Sequence, residues 1–273
     1  MTKTSLAKRL PDQITLDKGP IRLLGQFLLQ ADRAAFDRGI RLSLQQDFEQ
    51  LRAVNERARA SWGKLVPIFN PEYSDLDPAN SFWISGTNRQ GEIVATQAAR
   101  FLPLAESSLK AELSSLRLFY RAPEPHLAAG ERCEVLAPSA GRITGRVVFS
   151  GGGWYHPSCR GTGLSTILPR ISRAYAHSRW ETDYTVSMVE PILTQKGVVQ
   201  SYGYSKVEPM IRFLGSFRGD LDLHLIWMET EELLQDLETW VTAAGSSGYE
   251  ERKTDAPQTK ISPRERKGSI NRS

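Results

Sequence analysis

The stretch from Arg146 to Tyr175 constrains this chain more than any other. A β-prone run, Arg146–Ser150, leads into Gly151-Gly152-Gly153. After Trp154 comes Tyr155-His156-Pro157-Ser158-Cys159-Arg160-Gly161-Thr162-Gly163, and there an amphipathic helix opens. Its residues Leu164, Ile167, Leu168, Ile171, Ala174 and Tyr175 keep a 3.6-residue period. Strand, glycine turn and helix in that order make a place for phosphate. The first helical turn has unpaired N–H groups and the positive end of the helix dipole. Glycines let a pyrophosphate reach those groups with no side chain in the way, and Arg160 adds a fixed charge. An ordinary loop and helix start is the plainer reading of the same residues. The turn has no Lys for a GxxxxGK(S/T) loop, and Leu164-Ser165-Thr166 after Gly163 breaks the GxGxxG pattern. Pro169, in the second turn of the helix, is expected to bend it.

Around that stretch the chain divides by pattern. Residues 1–30 read as an N-terminal arm, polar at first and broken by Pro11 and Pro20. Phe36, Ile40, Leu44, Phe48, Leu51, Val54 and Ala58 recur at steps of four and three, which predicts one long helix with Gly39 as its weak point. Ser81–Ser85 and Ile93–Phe101 flank a turn rich in Gly and Asn and read as a hairpin. Residues 102–145 carry four prolines and one short helical pattern, Leu109–Phe119, and read as an insertion. Strands follow at 184–189, 205–213 and 221–228, with a short helix near 192–199. A last helix runs from Thr230 toward Gly245. Residues 31–245 then form one α/β domain, and 246–273 a disordered basic tail.

The formal charge of +4 comes from 35 basic and 31 acidic residues. From Tyr249 onward there are seven Lys/Arg and four Asp/Glu, which leaves the body with 28 basic and 27 acidic residues. The basicity belongs to the tail, so nucleic acid is disfavoured as a partner. No run of about 18 apolar residues would span a membrane, and the first 20 residues lack the apolar core of a secretory signal, so cytoplasmic residence is expected. Cys133 and Cys159 form no CxxC pair, and the four histidines show no HExxH or HxH spacing, so no metal is called for.

Pro157-Ser158-Cys159-Arg160-Gly161-Thr162-Gly163-Leu164-Ser165 resembles the signature of the GNAT superfamily of acyl-CoA-dependent N-acyltransferases, Arg/Gln-x-x-Gly-x-Gly/Ala. Arg160 and Gly163 match, and Ser165 stands in for the last small residue. The order of elements over roughly 80–228 is similar too, with Gly203-Tyr204 where the family often carries Gly-Phe. The resemblance implies a mixed, mostly antiparallel central sheet flanked by helices, here with an inserted segment and an added C-terminal helix. It implies that Tyr155, His156, Arg160, Gly161, Thr162, Gly163, Leu164 and Ser165 bind acetyl-CoA or another acyl-CoA as substrate, with no metal. The family often has a Tyr four residues before the Gly of Gly-Phe; Val199 occupies that position.

Acyl transfer to an amine needs positioning and removal of a proton more than an elaborate set of side chains. Glu190, at the end of the 184–189 strand, is the first candidate base and His224 the second; Tyr202 is a candidate acid. Their structural alternatives are a helix cap for Glu190, a surface or satisfied pocket residue for His224 and packing for Tyr202 and Tyr204. The expectation is an N-acyltransferase acting on an unidentified amine acceptor, with a homodimer left open. The alternative is a catalytically inactive GNAT-like module that binds acyl-CoA and serves regulation or interaction.

Overall fold

The computed structural model describes residues 8–216 and 218–254, with side-chain environments given through residue 243. The elements run in chain order as α1 (Ile21–Asp37), β1 (Arg41–Gln45), α2 (Phe48–Arg57) and α3 (Arg59–Trp62). They continue with β2 (Ser81–Thr87), β3 (Ile93–Leu104), α4 (Leu109–Ser114), α5 (Glu124–Ala128), β4 (Arg132–Val135) and β5 (Gly145–Tyr155). Then come α6 (Leu164–Trp180), β6 (Tyr184–Val189), α7 (Pro191–Gln195), α8 (Val198–Tyr202), β7 (Lys206–Ser216), β8 (Gly219–Glu229) and α9 (Thr230–Thr254). The strands form one eight-stranded sheet in the order β1-β2-β3-β5-β6-β8-β7-β4. Every pairing is antiparallel except β5 with β6. The fold class is therefore the expected one.

Two cores sandwich this sheet. On one face α1, α6 and α9 bury Leu24, Phe27, Ile167, Ile171 and Leu237 against Ile84, Val148 and Ile226 of the strands. On the other, α2, the short turn Pro67–Phe69 and the segment after β3 bury Leu51, Phe69, Leu113 and Phe119 against Trp83, Phe149 and Phe213. Central β3 is covered on both sides, so Val94–Ala99 is buried at every position rather than at alternate ones. Asp47 fixes the start of α2 by accepting from the N–H groups of Glu49 and Gln50.

Several expectations need correction. The long helix expected from Phe36 to Ala58 is a helix end, a strand and a second helix. Gly39 takes φ +78° and ends α1, and β1 then pairs with β2 along its whole length. The arm expected over 1–30 is helical from Ile21, and α1 supplies Leu24, Phe27 and Leu28 to the core. The insertion does more than loop out: β4 crosses to the far edge and pairs with β7, from Arg132 with Leu214 to Val135 with Ile211. The helix expected near 192–199 is two short helices, α7 and α8, parted at Lys196 and Gly197. The last helix passes Gly245 and reaches Thr254; the rest of the expected tail lies outside the described residues. Helix α6 runs unbroken through Pro169. Among the described residues no helix is long and apolar enough to cross a membrane.

Candidate functional site

The parallel pair at the centre of the sheet is short. Val147–Phe149 of β5 lies against Tyr184–Val186 of β6, and beyond those residues the two strands part. Both stay anchored on their outer sides: Val189 still faces His224 of β8, and Trp154 and Tyr155 still face Thr96 and Ala95 of β3. One extra residue on β5 accompanies the divergence. The register with β3 steps from Ala98–Gly151 to Thr96–Trp154, a β-bulge in which Gly152 takes φ +59° and its carbonyl accepts from Thr96 Oγ1 at 2.8 Å. A side chain at 152 would be strained by that φ and would stand 3.1 Å from Ala98 Cβ. The Gly151-Gly152-Gly153 run thus forms a bulge where the sheet opens.

The opening holds a cavity of about 290 Å³ that passes between the strands. Ser150–Gly153 and Ser187–Glu190 form its edges, and Tyr202 and Tyr204 close it on the α6 face of the sheet. Gln97 Nε2 donates to Ser150 Oγ at 3.1 Å, so a small polar patch lies at its middle.

Beside the opening, the loop from His156 to Gly163 leads into α6. Gly161 and Gly163 both have left-handed φ, +77° and +81°, and α6 starts with no side-chain cap. The N–H groups from Gly161 to Ser165 have no acceptor among the described residues, while that of Thr166 bonds Gly163 O. Successive amides in such a turn form an anion-binding concavity at the positive end of a helix. Arg160 is exposed, and its guanidinium donates to Tyr155 O at 3.3 Å and Ser61 O at 3.2 Å. A second cation stands here that the motif does not reveal: Arg38, just past α1, donates from Nε to Thr162 O at 2.7 Å. Nothing local marks Arg38, because only the packing of α1 against α6 brings it to this turn.

The expected acyl-CoA residues separate into four groups. Arg160, Gly161, Thr162 and Gly163 form the exposed turn. Leu164 is buried in the core and Ser165 Oγ accepts from Ser201 Oγ at 3.4 Å, so both offer a backbone N–H rather than a side chain. His156 orders the loop, its Nδ1 within 2.7 Å of Ser158 Oγ. Tyr155 departs from expectation: its hydroxyl is turned inward and lacks a hydrogen-bond partner, and burial pushes its pKa well up.

That hydroxyl belongs to a buried polar cluster under the opening. The Arg173 side chain, 0% exposed, donates to Tyr202 O at 2.6 Å and lies over the Tyr204 ring at 4.7 Å. Its Nε and Nη1, and the hydroxyls of Tyr155 and Tyr204, make no hydrogen bond of normal geometry. Burial lowers the Arg173 pKa and raises that of Tyr204, where Arg173, Ser150 and Ser187 pull the other way. Burial also raises the pKa of Tyr202.

Of the three candidate catalytic residues, the structure brings two to the cavity. Glu190 and Tyr202 line it; His224 does not, and its Nδ1 lies 3.1 Å from Thr194 Oγ1 of α7. Glu190 makes no side-chain cap for α7 but pairs with Arg218 at 2.8 Å, its carboxylate side chain 43% exposed. Tyr204, a packing residue by sequence, is the addition. Val199 is fully buried in the core. Among the described residues no group of three or more His, Cys, Asp or Glu is arranged to hold a metal.

No protein-family model matches the chain, and no curated protein matches it in sequence. Among solved structures it is similar to the GNAT domain of S. lividans PAT, at 13% identity and a TM-score of 0.37 over 68% of this chain and 90% of that one. It is also similar to Arabidopsis thaliana NAA60 in complex with acetyl-CoA, at 12% identity and a TM-score of 0.42, over 70% and 99% of the two chains. A third is an uncharacterised protein of Bacillus halodurans, at 10% identity and a TM-score of 0.44, over 75% and 92%.

Proposed function

We propose that the chain is an N-acyltransferase that moves an acetyl or other acyl group from acyl-CoA to an amine. The observation that carries this reading is the divergence of β5 and β6 beside an anion-binding turn. A pyrophosphate on the Gly161–Ser165 amides, flanked by Arg160 and Arg38, would let the pantetheine arm run into the opening. The arm would bring the thioester to Ser150–Gly153, where the β6-facing backbone of β5 has lost its strand partner.

In the reaction the amine nitrogen attacks the thioester carbonyl carbon, the C–S bond breaks, and the amine loses a proton. The departing thiolate gains one. A backbone N–H of β5 polarises the carbonyl, since donors fixed in a water-poor cleft stabilise developing charge strongly. Tyr204 or Tyr202, both of which line the opening, protonates the thiolate. Glu190, directly or through water, is the base.

One observation favours a second reading, an acyl-CoA-binding module without turnover. Glu190, the cavity's carboxylate among the described residues, is already held by Arg218. Thermal unfolding with acetyl-CoA and longer acyl-CoAs, followed by release of free thiol on adding amines, separates the readings. Saturation at about 100 times Kd adds about 2.7 kcal/mol of stability. Stabilisation that shrinks in Arg160→Ala and Arg38→Ala, with thiol release, supports the enzyme. Stabilisation with no release for any amine supports the binding module, and no stabilisation by any acyl-CoA removes both.

A further inference from the structure

The cavity has two unlike halves. Toward α6 lie Val189, Leu193 and the two tyrosines, the side from which the thioester would enter. Through the sheet, on the face of the second core, the walls are Trp62, Leu65, Phe119, Phe149, Phe213 and Leu221. They come from four separate parts of the chain: the segment after α2, the insertion, β5 and the β7–β8 hairpin. Trp62 stacks on Trp154 at 5.4 Å and Phe119 packs on Phe213 at 4.7 Å, so the ring walls are braced from behind. Among the described residues no carboxylate lines this half, and Glu190 sits at the edge paired with Arg218.

An acceptor with several ammonium groups would desolvate charges here with no opposite charge to meet them. An apolar body would gain by burial. A cavity of about 150 Å³ with apolar walls holds a benzene, so about 290 Å³ across both halves leaves room for a ring and the reacting groups. Resting on the acyltransferase reading above, we propose that the acceptor is a monoamine carried on an apolar, ring-sized body, of the arylalkylamine class. The ring occupies the second-core half, its amino group reaches the Gly151–Gly153 edge, and acylation converts the amine to a neutral amide while the thiol of CoA is freed.

The test is thiol release from acetyl-CoA with 2-phenylethylamine and tryptamine against spermidine and an aminoglycoside, on the full chain. The arylalkylamines should exceed the polyamines in kcat/KM by tenfold or more. Leu223 of β8, half-buried, also lines this half; Leu223→Lys, which puts a cation there, should cost them tenfold, chiefly through KM, while acetyl-CoA still raises Tm as in the wild type. Leu221→Ala, which only shortens a half-buried wall residue, guards against misfolding and should cost them about threefold. Polyamines turned over best would overturn the acceptor class and leave the acyltransferase reading standing. Selectivity for longer or aromatic acyl-CoAs that Leu223→Lys abolishes, with no preference among amines, would assign the chamber to the acyl chain and overturn the proposal. Stabilisation by acetyl-CoA with no amine turned over would overturn it as well.

Discussion

Arg170 of α6 and Asp236 of α9 form a two-pronged ion pair, Nε to Oδ2 at 2.8 Å and Nη2 to Oδ1 at 2.9 Å. Arg170 Nη1 goes on to the Ser201 carbonyl at 2.8 Å, and Arg173, 3.7 Å from the same carboxylate, holds the Tyr202 carbonyl. The C-terminal helix thus fixes, through two arginines, the segment that carries both cavity tyrosines. Removing the carboxylate leaves two guanidiniums, 11% and 0% exposed, without an anion. Asp236→Ala should lower unfolding stability by about 3 kcal/mol, measured as a shift in the urea midpoint. Acyl transfer should fall further than the loss of folded protein explains. An unchanged midpoint would mean that water replaces the carboxylate at no cost.

Gly152 sits in the bulge of β5, just past the last residue paired with β6. Gly152→Val meets both an unfavourable φ and the Ala98 methyl group, and should destabilise by about 1–3 kcal/mol. If the bulge opens the binding cleft, acyl-CoA affinity should drop at least tenfold in protein that remains folded, read by titration calorimetry. Normal affinity in a destabilised variant would separate the bulge from binding.

His177 gives a pH dependence whose sign can be worked out. Burial lowers its pKa below 6.5, only partly offset by the Thr182 backbone and Glu181. Folding therefore disfavours the protonated form. Stability from this residue is full above about pH 6.5 and declines as pH falls below it, levelling off once pH passes the lowered pKa of the folded state. Unfolding titrations between pH 8 and 5 should show this decline in the wild type and a shallower one in His177→Gln; parallel curves would refute the assignment.

What sequence made legible was what repeats locally. Helix α6, the β2–β3 hairpin and the Arg160–Gly163 turn each announce themselves by period or by glycine placement. The error from Phe36 to Ala58 is equally physical. A step of four is also a multiple of two, so Ile40 and Leu44 fit a strand as well as a helix, and Phe36, counted in the stripe, is 42% exposed. The missed features are non-local. Arg38 reaches the turn from 124 residues away, β4 finds its place only by pairing with β7, and Tyr204 becomes part of a site only when β5 and β6 part over it.

The two cysteines offer a direct probe of the turn. Cys133 is buried, and desolvation pushes its thiol up to about 12, so almost none is thiolate near neutral pH. Cys159 is partly exposed on the loop, 2.7 Å of hydrogen bond joining its carbonyl to Thr162 Oγ1. A maleimide or iodoacetamide should therefore modify one thiol per native chain, and mass spectrometry should locate it at Cys159. Acyl-CoA seated on the Gly161–Ser165 amides would cover this loop, so saturating acetyl-CoA should slow the labelling at least fivefold, and free pyrophosphate should protect more weakly. Labelling that acetyl-CoA leaves unchanged, at concentrations that raise Tm, would place the ligand elsewhere and take the phosphate role away from Arg160 and its glycines.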